Sequence, residues 1–280
     1  MLVDYHLHTV YSRHAKGSIE EYLARAQELG IEEVCFTEHT SRQYLTEDAK
    51  ADIPYVWMRD HELPIYLESL TEAAKKTPLR VKRGLEVDYF VGYEDSLQEF
   101  LAALPLDFAM GTIHFLPAYE MRYVSLVEDA PVNLLLEYFK YAKQAVDTGL
   151  FDSLAHLHLP WQAVPWPKGA EQRVVEEALA RVVAAARAQD MCLEINTRSF
   201  NFEGYGTLAV YQKFLGFIAD YGVPITIGSD AHDPKEIGRN YPEVIKQLRH
   251  YGINEAAVFD KRQRDMVPLG HESIKFAVGR

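Results

Sequence analysis

The sequence predicts an α/β protein whose parallel strands close into a barrel, with a functional site at the carboxyl ends of the strands. Short apolar runs alternate along the whole chain with longer segments in which apolar residues recur about every 3.6 positions. This alternation is typical of repeated βα units and a parallel sheet. Seven or eight units favour a closed barrel over an open sheet, and no G-x-G-x-x-G motif follows an early strand.

The predicted strands are the apolar runs, and most of them end in polar side chains. In chain order they cover residues 2–8, 34–37, 79–87, 108–114, 153–158, 192–196 and 225–229, with a weaker eighth run at 256–259. The carboxyl ends of barrel strands all open on one face, where active sites lie. Side chains from these ends are therefore expected to converge although they are distant in sequence.

Four segments carry clear signals for helices. Ser18 and Glu21 form a capping-box pattern at the start of the first, and Gly30 stands where that helix should end. Pro131 begins the second, because proline fits the first turn of a helix. The third and fourth cover residues 171–189 and 207–221. The sequence therefore predicts helices between the strands.

Composition limits the class of protein. The chain has 280 residues, 48% of them hydrophobic, and a formal net charge of −12, which disfavours a nucleic-acid partner. No run approaches the ~18 apolar residues of a membrane span, and the first residues lack the pattern of a signal peptide. Cys35 and Cys192 lie in apolar segments, which favours reduced thiols. We expect a soluble cytoplasmic protein with one barrel domain at 1–269 and a tail at 270–280; its oligomeric state stays open.

Histidines are concentrated at the predicted strand ends. Of 11 histidines, eight lie there or just beyond: His6, His8, His14, His39, His114, His156, His158 and His232. Glu86 and Asp230 occupy equivalent places. Imidazoles mixed with carboxylates suit Zn, Mn or Fe better than Mg or Ca. There are more donors than one ion can use, so the sequence predicts a metal site with more than one ion.

Three pairs in this set show the two-residue period of a strand: His6 with His8, His156 with His158, and Asp230 with His232. Side chains at positions i and i+2 point to the same side of a strand. Each pair is therefore expected to face into the barrel. Asp4 should share the face of His6 and His8 and orient a metal ligand.

Seven motifs in order along residues 2–269 give the chain a family resemblance. They are D-Y-H-L-H-T from Asp4, H-A-K-G-S from His14, F-T-E-H from Phe36, G-L-E-V-D-Y-F from Gly84, G-T-I-H-F-L from Gly111, L-E-I-N-T from Leu193 and G-S-D-A-H from Gly228. With these motifs the chain resembles the PHP (polymerase and histidinol phosphatase) superfamily, in particular its histidinol-phosphate phosphatase branch. The resemblance implies a distorted (β/α)7 TIM-like barrel with a metal site at the C-terminal face of the strands.

The resemblance also implies a ligand set for two to three divalent transition metal ions. The ligands would be His6, His8, His14, His39, Glu86, His114, His156, Asp230 and His232. This chain departs from the family pattern at two places. Glu38 stands where the family often has Asp, and His158 stands where an Asp commonly follows the ligand histidine by two residues. We expect His156 to bind metal and His158 to lie near the substrate.

The implied activity is hydrolysis of L-histidinol phosphate to L-histidinol and phosphate, in histidine biosynthesis. A hydroxide that bridges the metal ions would attack phosphorus directly, without a phosphoenzyme. His158 is a candidate acid for the leaving group. Arg198 is the candidate cation for the phosphate, with four alternatives: Arg13, Lys16, Arg42 and Arg239.

The remaining part of this small phosphorylated substrate carries an amine and an imidazole. The candidate acids for these groups are Glu38, Asp88 and Glu120. Aromatic residues of the two long loops are candidate walls of the pocket: Tyr44, Trp57, Trp161 and Trp166.

Three other functions remain open at this point. The same metal site could hydrolyse another phosphoester, such as a phosphotyrosine peptide or a short oligonucleotide, although the net charge disfavours a polynucleotide. A carbon–nitrogen hydrolase of the amidohydrolase type also begins with His-x-His, but its usual bridging lysine is absent from the strand at 108–114. The third is a non-catalytic PHP module, in which ligands are often lost; here all nine positions hold usable donors.

Overall fold

The computed structural model describes residues 1–53, 57–198 and 208–270 of the chain. Its strands are β1 (Val3–Leu7), β2 (Glu33–His39), β3 (Arg80–Asp88), β4 (Phe108–Thr112), β5 (Phe115–Leu116), β6 (Arg122–Tyr123), β7 (Ser153–Leu154), β8 (Cys192–Asn196), β9 (Ile225–Gly228), β10 (Glu255–Asp260) and β11 (Gln263–Pro268). Its α-helices are α1 (Ile19–Glu28), α2 (Glu47–Asp52), α3 (Leu63–Ala74), α4 (Glu94–Ala102), α5 (Pro131–Asp147), α6 (Gly169–Ala188), α7 (Leu208–Tyr221) and α8 (Tyr241–His250).

Seven parallel strands form a nearly closed barrel in the order β1-β2-β3-β4-β7-β8-β9. The two edges meet just beyond β9, where Leu7 bridges Ala231 and the His8 amide donates to the Ala231 carbonyl at 3.0 Å. Outward-facing apolar residues of the strands, such as Phe36 and Leu85, pack under the surrounding helices in one large core. The predicted TIM-like barrel is confirmed.

The helices begin where the capping signals placed them. Ser18 and Glu21 form the capping box of α1, and Pro131 is the first residue of α5. The predicted helices at 171–189 and 207–221 correspond to α6 and α7 within two residues. No helix in the described part of the chain is long and apolar enough to cross a bilayer.

The weak eighth run does not start another βα unit. It is β10, which pairs antiparallel with β11, because the edge of β1 is already paired with the segment after β9. The hairpin closes the amino-terminal end of the barrel, where Phe259 packs with Tyr5 and Phe108. The Phe259 amide donates to the Tyr5 hydroxyl at 2.6 Å. The barrel interior near the amino-terminal ends of the strands, the lower end of the barrel, is therefore an apolar cluster covered by the β10–β11 hairpin.

The first strand contains an irregularity that sequence periodicity could not show. Its register with β2 shifts between Asp4 and Leu7, as at a β-bulge. Val3 and Tyr5 face the lower interior, and after the shift His6 and His8 face inward as well. The expectation that Asp4 shares the face of these histidines is wrong. Its carboxylate instead accepts a hydrogen bond from the Ser229 amide at 2.8 Å and ties β1 to the end of β9.

Two strands end at least two residues earlier than predicted. β4 ends at Thr112 and β7 at Leu154, so His114, His156 and His158 lie in the segments that follow. A short hairpin of β5 and β6 follows His114. Both cysteines are buried and unpaired. Residues 271–280 of the predicted tail lie outside the described residues, and the single-domain assignment stays a prediction.

Candidate metal centre

The carboxyl ends of the strands bring the predicted ligands together at the upper end of the barrel. Their donor atoms form four groups of three within 4.8 Å, which share members: His8, His39 and His232; His6, His8 and Glu86; His6, His156 and Asp230; His39, Glu86 and His114. Eight of the nine predicted ligands belong to these groups. The ninth, His14, stacks on His232 with ring centroids 4.6 Å apart, so it lies at the edge of the same cluster.

Two carboxylates lie at the centre of the cluster. Glu86 Oε1 lies 2.7 Å from His156 Nε2 and 3.5 Å from His114 Nε2. Its Oε2 lies 3.0 Å from His39 Nδ1. Asp230 Oδ1 lies 3.4 Å from His8 Nε2. Each carboxylate thus lies within reach of more than one imidazole, and both would be among the residues that hold metal ions.

A second layer of buried carboxylates orients the imidazoles. Glu194 Oε1 lies 2.6 Å from His6 Nδ1, and Asp88 Oδ1 lies 2.9 Å from His114 Nδ1. Glu38 Oε1 lies 3.4 Å from His8 Nδ1. Carboxylates bonded to the second ring nitrogen fix the ring and free Nε2 for a metal. Glu38 and Asp88 are therefore engaged with ligand histidines, and the expectation that they receive the substrate's organic cations is disfavoured.

Glu194 is the principal residue of the site whose role the sequence did not reveal. One oxygen of this carboxylate contacts His6 of β1, and the other accepts a hydrogen bond from the amide of His156, in the segment after β7, at 2.7 Å. Glu194 therefore links these two parts of the chain. Gly228 leaves the space that the contact needs, because a Cβ there would overlap the Cβ of His6 and lie 2.7 Å from Glu194 Oε1. The strand alternation of β8, with Cys192, Glu194 and Asn196 all facing inward, was the available signal.

The titratable side chains of the cluster shift one another's pKa values. Burial opposes a charged His8, but its hydrogen bonds with the Asp230 and Glu38 carboxylates raise its pKa to about 9. Burial and then the charge of His8 lower the pKa of His39 to about 4 and that of His232 to about 2. Burial would raise the pKa of Glu86, but the surrounding histidines, His114 first, hold it well below its usual value. These shifts favour ionised carboxylates at Glu86 and Asp230 beside a protonated His8.

Several buried donor atoms have no hydrogen-bond partner among the described residues. Glu86 Oε2, His39 Nδ1 and His156 Nδ1 are such atoms, although the first two lie only 3.0 Å apart. Buried polar atoms in native proteins nearly always have a partner. Imidazole and carboxylate donors that crowd together without satisfying one another fit a site built for transition metal ions.

The geometry separates His156 from His158. His156 belongs to the cluster, whereas His158 is in none of the four donor groups and its ring lies 6.3 Å from that of His156. The predicted strand alternation at 156–158 is wrong, because β7 has already ended and His156 has a positive φ of 20°. Burial, and then the charge of His156, lower the pKa of His158 to about 3, which disfavours a role as a proton-donating acid.

A cavity of about 330 Å³ opens onto the cluster. Of the five cations that the sequence offered for phosphate, Arg198 is the one that lines it among the described residues. Arg198 Nη1 lies 3.1 Å from His232 Nδ1 and donates to the Asp230 carbonyl at 3.3 Å. Arg13 and Arg239 are paired with Glu62 and Glu236.

Aromatic rings flank the cavity on two sides. Trp57 stacks on His39 with ring centroids 4.4 Å apart, and Tyr123 stacks on His114 at 5.5 Å. The other aromatic candidates are not among its described lining residues: Tyr44 donates to the Asp88 carbonyl, and Trp161 packs against Trp166 and Phe214. Glu120 is exposed and likewise does not line it.

Known proteins resemble this chain along most of its length. It is 28% identical over 265 residues to a probable histidinol-phosphatase of Deinococcus radiodurans, covering 90% of this chain and 94% of that one. It is 25% identical to the histidinol-phosphatase of Lactococcus lactis, covering 94% and 96%. The crystal structure of histidinol phosphate phosphatase from Lactococcus lactis, complexed with zinc, L-histidinol and phosphate, has a TM-score of 0.77 at 23% identity, covering 94% and 98%. That likeness shows the shared fold.

The family model of the PHP domain matches residues 4–198. This range contains seven of the nine predicted ligands, and Asp230 and His232 are brought to the other seven by the closure of the barrel. The chain belongs to the PHP domain family.

Proposed function

We propose that this protein is a metal-dependent phosphomonoesterase that hydrolyses L-histidinol phosphate to L-histidinol and phosphate. The observation that carries the proposal is a cavity lined at once by the imidazole–carboxylate cluster and by Arg198. Metal donors beside a guanidinium suit a phosphate ester, because both neutralise phosphoryl oxygens. The relatives named histidinol-phosphatase, which match nearly end to end, support the choice of substrate.

The nine clustered donors would hold two or three divalent ions. Five carboxylates in and around the cluster support that number, since their charge is close to that of two or three dications: Glu38, Glu86, Asp88, Glu194 and Asp230. When bound, such ions would supply Lewis acidity for the activation of water and for the neutralisation of phosphoryl charge. We propose zinc first, because it is bound in the related Lactococcus structure, with manganese and iron as alternatives.

The protein's own groups would position the phosphate ester. Arg198, 42% exposed at its side chain, can extend its guanidinium towards a phosphoryl oxygen while its Nη1 stays near His232. Glu194, Glu38 and Asp88 hold three imidazole rings in fixed orientations. A rigid donor set of this kind lowers the cost of reorganisation during the reaction.

The organic part of the substrate would lie against aromatic faces. Trp57 and Tyr123 flank the cavity, whereas Glu38 and Asp88 are occupied by ligand histidines. Aromatic faces attract cations such as an ammonium or an imidazolium group. We assign His158 a positioning role beside His156, since burial disfavours its protonated form.

The buried unpaired cysteines support a reducing compartment, and we propose a cytoplasmic location. We propose no nucleic-acid partner, because the net charge of −12 repels a polyanion.

The direct test is phosphate release by protein of measured metal content. L-histidinol phosphate, p-nitrophenyl phosphate and a short oligonucleotide are compared, with His8→Ala as the variant that lacks a central ligand and Arg181→Met, on α6, as an exposed control. We expect kcat/KM for L-histidinol phosphate to exceed the others by orders of magnitude, and His8→Ala to abolish it. Equal or faster turnover of another ester would reject the substrate, and wild-type turnover by His8→Ala would reject the mechanism.

A further inference from the structure

A buried tyrosine of α3 joins two strands that carry predicted metal ligands. Tyr66 is fully buried, and its hydroxyl oxygen lies 2.9 Å from the Phe36 carbonyl of β2 and 3.0 Å from the Gly84 carbonyl of β3. The Glu38 amide donates to the same oxygen at 3.3 Å. A hydroxyl has one proton, so it donates to one of the carbonyls while it accepts from the amide. This side chain therefore holds backbone groups of both strands.

The two carbonyls lie a short way before metal donors. Phe36 begins the motif F-T-E-H, which ends in His39, and Gly84 begins the stretch G-L-E, which ends in Glu86. The parallel pairing of β2 and β3 sets His39 opposite Glu86, and His39 Nδ1 lies 3.0 Å from Glu86 Oε2. The spacing of the strands at the Tyr66 hydroxyl therefore determines how these two donors approach each other.

The Glu38 amide connects this hydroxyl to the carboxylates behind the metal ligands. Glu38 Oε1 lies 3.4 Å from His8 Nδ1 and accepts from the His39 amide at 2.9 Å. Its Oε2 accepts from the Thr9 amide at 2.8 Å. Because Tyr66 binds the backbone of Glu38, it fixes the point from which this carboxylate orients His8.

The ring of Tyr66 contacts a third segment with a predicted ligand. It packs edge to face on Tyr11, with ring centroids 5.9 Å apart and an angle of 74° between the planes. Tyr11 lies in the 3₁₀-helix Val10–Ser12, and His14 follows two residues after that helix. A single side chain of α3 thus contacts three segments that carry ligands of the centre.

We propose that Tyr66 is a positioning residue of the metal centre, which fixes the backbone from which His39 and Glu86 project. The inference rests on the metal centre of the proposed function and not on its substrate. Three of the four donor groups among the described residues include His39 or Glu86. One group includes neither, and its members are His6, His156 and Asp230. Ions held through the first three groups should depend on Tyr66, and an ion held through the last should not.

Zinc titration of metal-free protein tests the inference with Tyr66→Phe, which removes only the hydroxyl. Affinity for at least one zinc ion should fall about 10- to 100-fold, as is typical when a group that orients a metal ligand is lost. At least one further ion should keep its wild-type affinity. The visible absorption spectrum of cobalt-loaded protein should also change, because it reports the arrangement of ligands around the ion.

Tyr5→Phe is the matched control. It removes an equally buried hydroxyl, which accepts from the Phe259 amide at the opposite end of the barrel. Denaturant unfolding should show lower stability in both variants, since each loses buried hydrogen bonds. Only Tyr66→Phe should change zinc affinity and the cobalt spectrum. Wild-type affinity and spectrum in Tyr66→Phe, or an equal loss in Tyr5→Phe, would overturn the proposal.

Tyr11→Leu provides a second variant that keeps the Tyr66 hydroxyl and removes only its aromatic contact. Zinc affinity should fall in the same direction by a smaller factor. If Tyr66→Phe does not fold, Tyr11→Leu decides the question, and an unchanged zinc affinity in it would overturn the proposal.

His8→Ala separates this inference from the proposed function, because it removes a donor of the centre itself. Its zinc affinity should fall whatever the role of Tyr66. Wild-type zinc affinity in His8→Ala would reject the metal centre and the proposed function with it. A loss in His8→Ala with none in Tyr66→Phe would overturn the positioning role alone.

Discussion

The two ends of the barrel interior are built from the same strands but hold opposite chemistry. At the lower end Tyr5 packs edge to face on Phe108, and Phe259 of the closing hairpin contacts both rings in tilted orientations. At the upper end, Glu86 and the imidazoles around it leave buried donor atoms without partners. Tight apolar packing stabilises a fold, whereas unsatisfied polar atoms cost stability. Stability and function therefore occupy separate levels of one barrel, and substitutions at the two ends should affect them separately.

The largest effect is expected at the upper end. Asp230→Asn removes a carboxylate that lies within 3.7 Å of both His6 and His8. Bound metal should fall, and phosphate release should drop by about 10³-fold or more, since one lost charge stabiliser alone can cost 10²–10³-fold. Metal analysis and initial rates measure the two effects. Normal metal content and normal rates in Asp230→Asn would contradict the assignment of function to the upper end of the barrel.

The matching substitution at the lower end is Phe259→Ala. Truncation of a buried phenylalanine costs about 3–5 kcal/mol of unfolding free energy. The folded fraction should nevertheless keep its turnover within about a factor of two. Denaturant unfolding together with kinetics measures both quantities, and Gln263→Ala, an exposed change in the same hairpin, is the control. A large loss of kcat in folded Phe259→Ala protein would show that the two ends are coupled.

Acid should weaken metal binding. In the metal-free protein the neighbouring carboxylates raise the pKa of His8 to about 9 and that of His6 above its usual value, against the effect of burial. His8 is therefore protonated at pH 7, and metal must displace its proton. Below the pKa of each ring, affinity should fall about tenfold per pH unit for each proton displaced. Competition titrations with a chelator at pH 6 to 8 measure the metal affinity. An affinity that does not change with pH would contradict protonation of His8 in the metal-free protein.

Glu194→Gln should have a smaller effect. Gln can still occupy the space beside His6 Nδ1 but no longer supplies a negative charge there. Loss of such an orienting partner typically costs 10- to 100-fold in metal affinity. The dissociation constant for zinc is the readout, with the exposed Glu171→Gln as control. An unchanged constant would show that Glu194 only fills space.

The smallest effect is expected for His158→Asn. His158 is buried beside the cluster and its lowered pKa keeps it neutral. Turnover should fall by less than about tenfold, with an unchanged acidic limb of the pH–rate profile. A loss of 10²-fold or more, accompanied by disappearance of one limb, would restore His158 as the general acid.

Much of the fold was predictable because its signals are local. The Ser18–Glu21 capping box and Pro131 placed two helices at the correct residues, and apolar runs located all seven barrel strands. The eighth run was misassigned, since a strand that pairs antiparallel with its neighbour has the same apolar pattern as a barrel strand.

The site was predictable where strand ends alone determine it and less so where turns do. Convergence at the carboxyl ends brings eight of the nine predicted ligands into shared donor groups. The bulge in β1 and the positive φ values of His156 and Asp230 depend on tertiary contacts, so two-residue periodicity could not reveal them. Glu194 was missed because an acid on a buried strand gains its role from His6 and His156, which are 188 and 38 positions away in sequence.

The central claim is that the imidazole–carboxylate cluster is a multinuclear metal centre that hydrolyses a phosphomonoester. Protein stripped of metal is titrated with zinc, and phosphate release from L-histidinol phosphate is followed as a function of bound zinc per chain. We expect negligible release without metal and full release only when at least two ions are bound. Full release by metal-free protein, or saturation with a single ion, would contradict it.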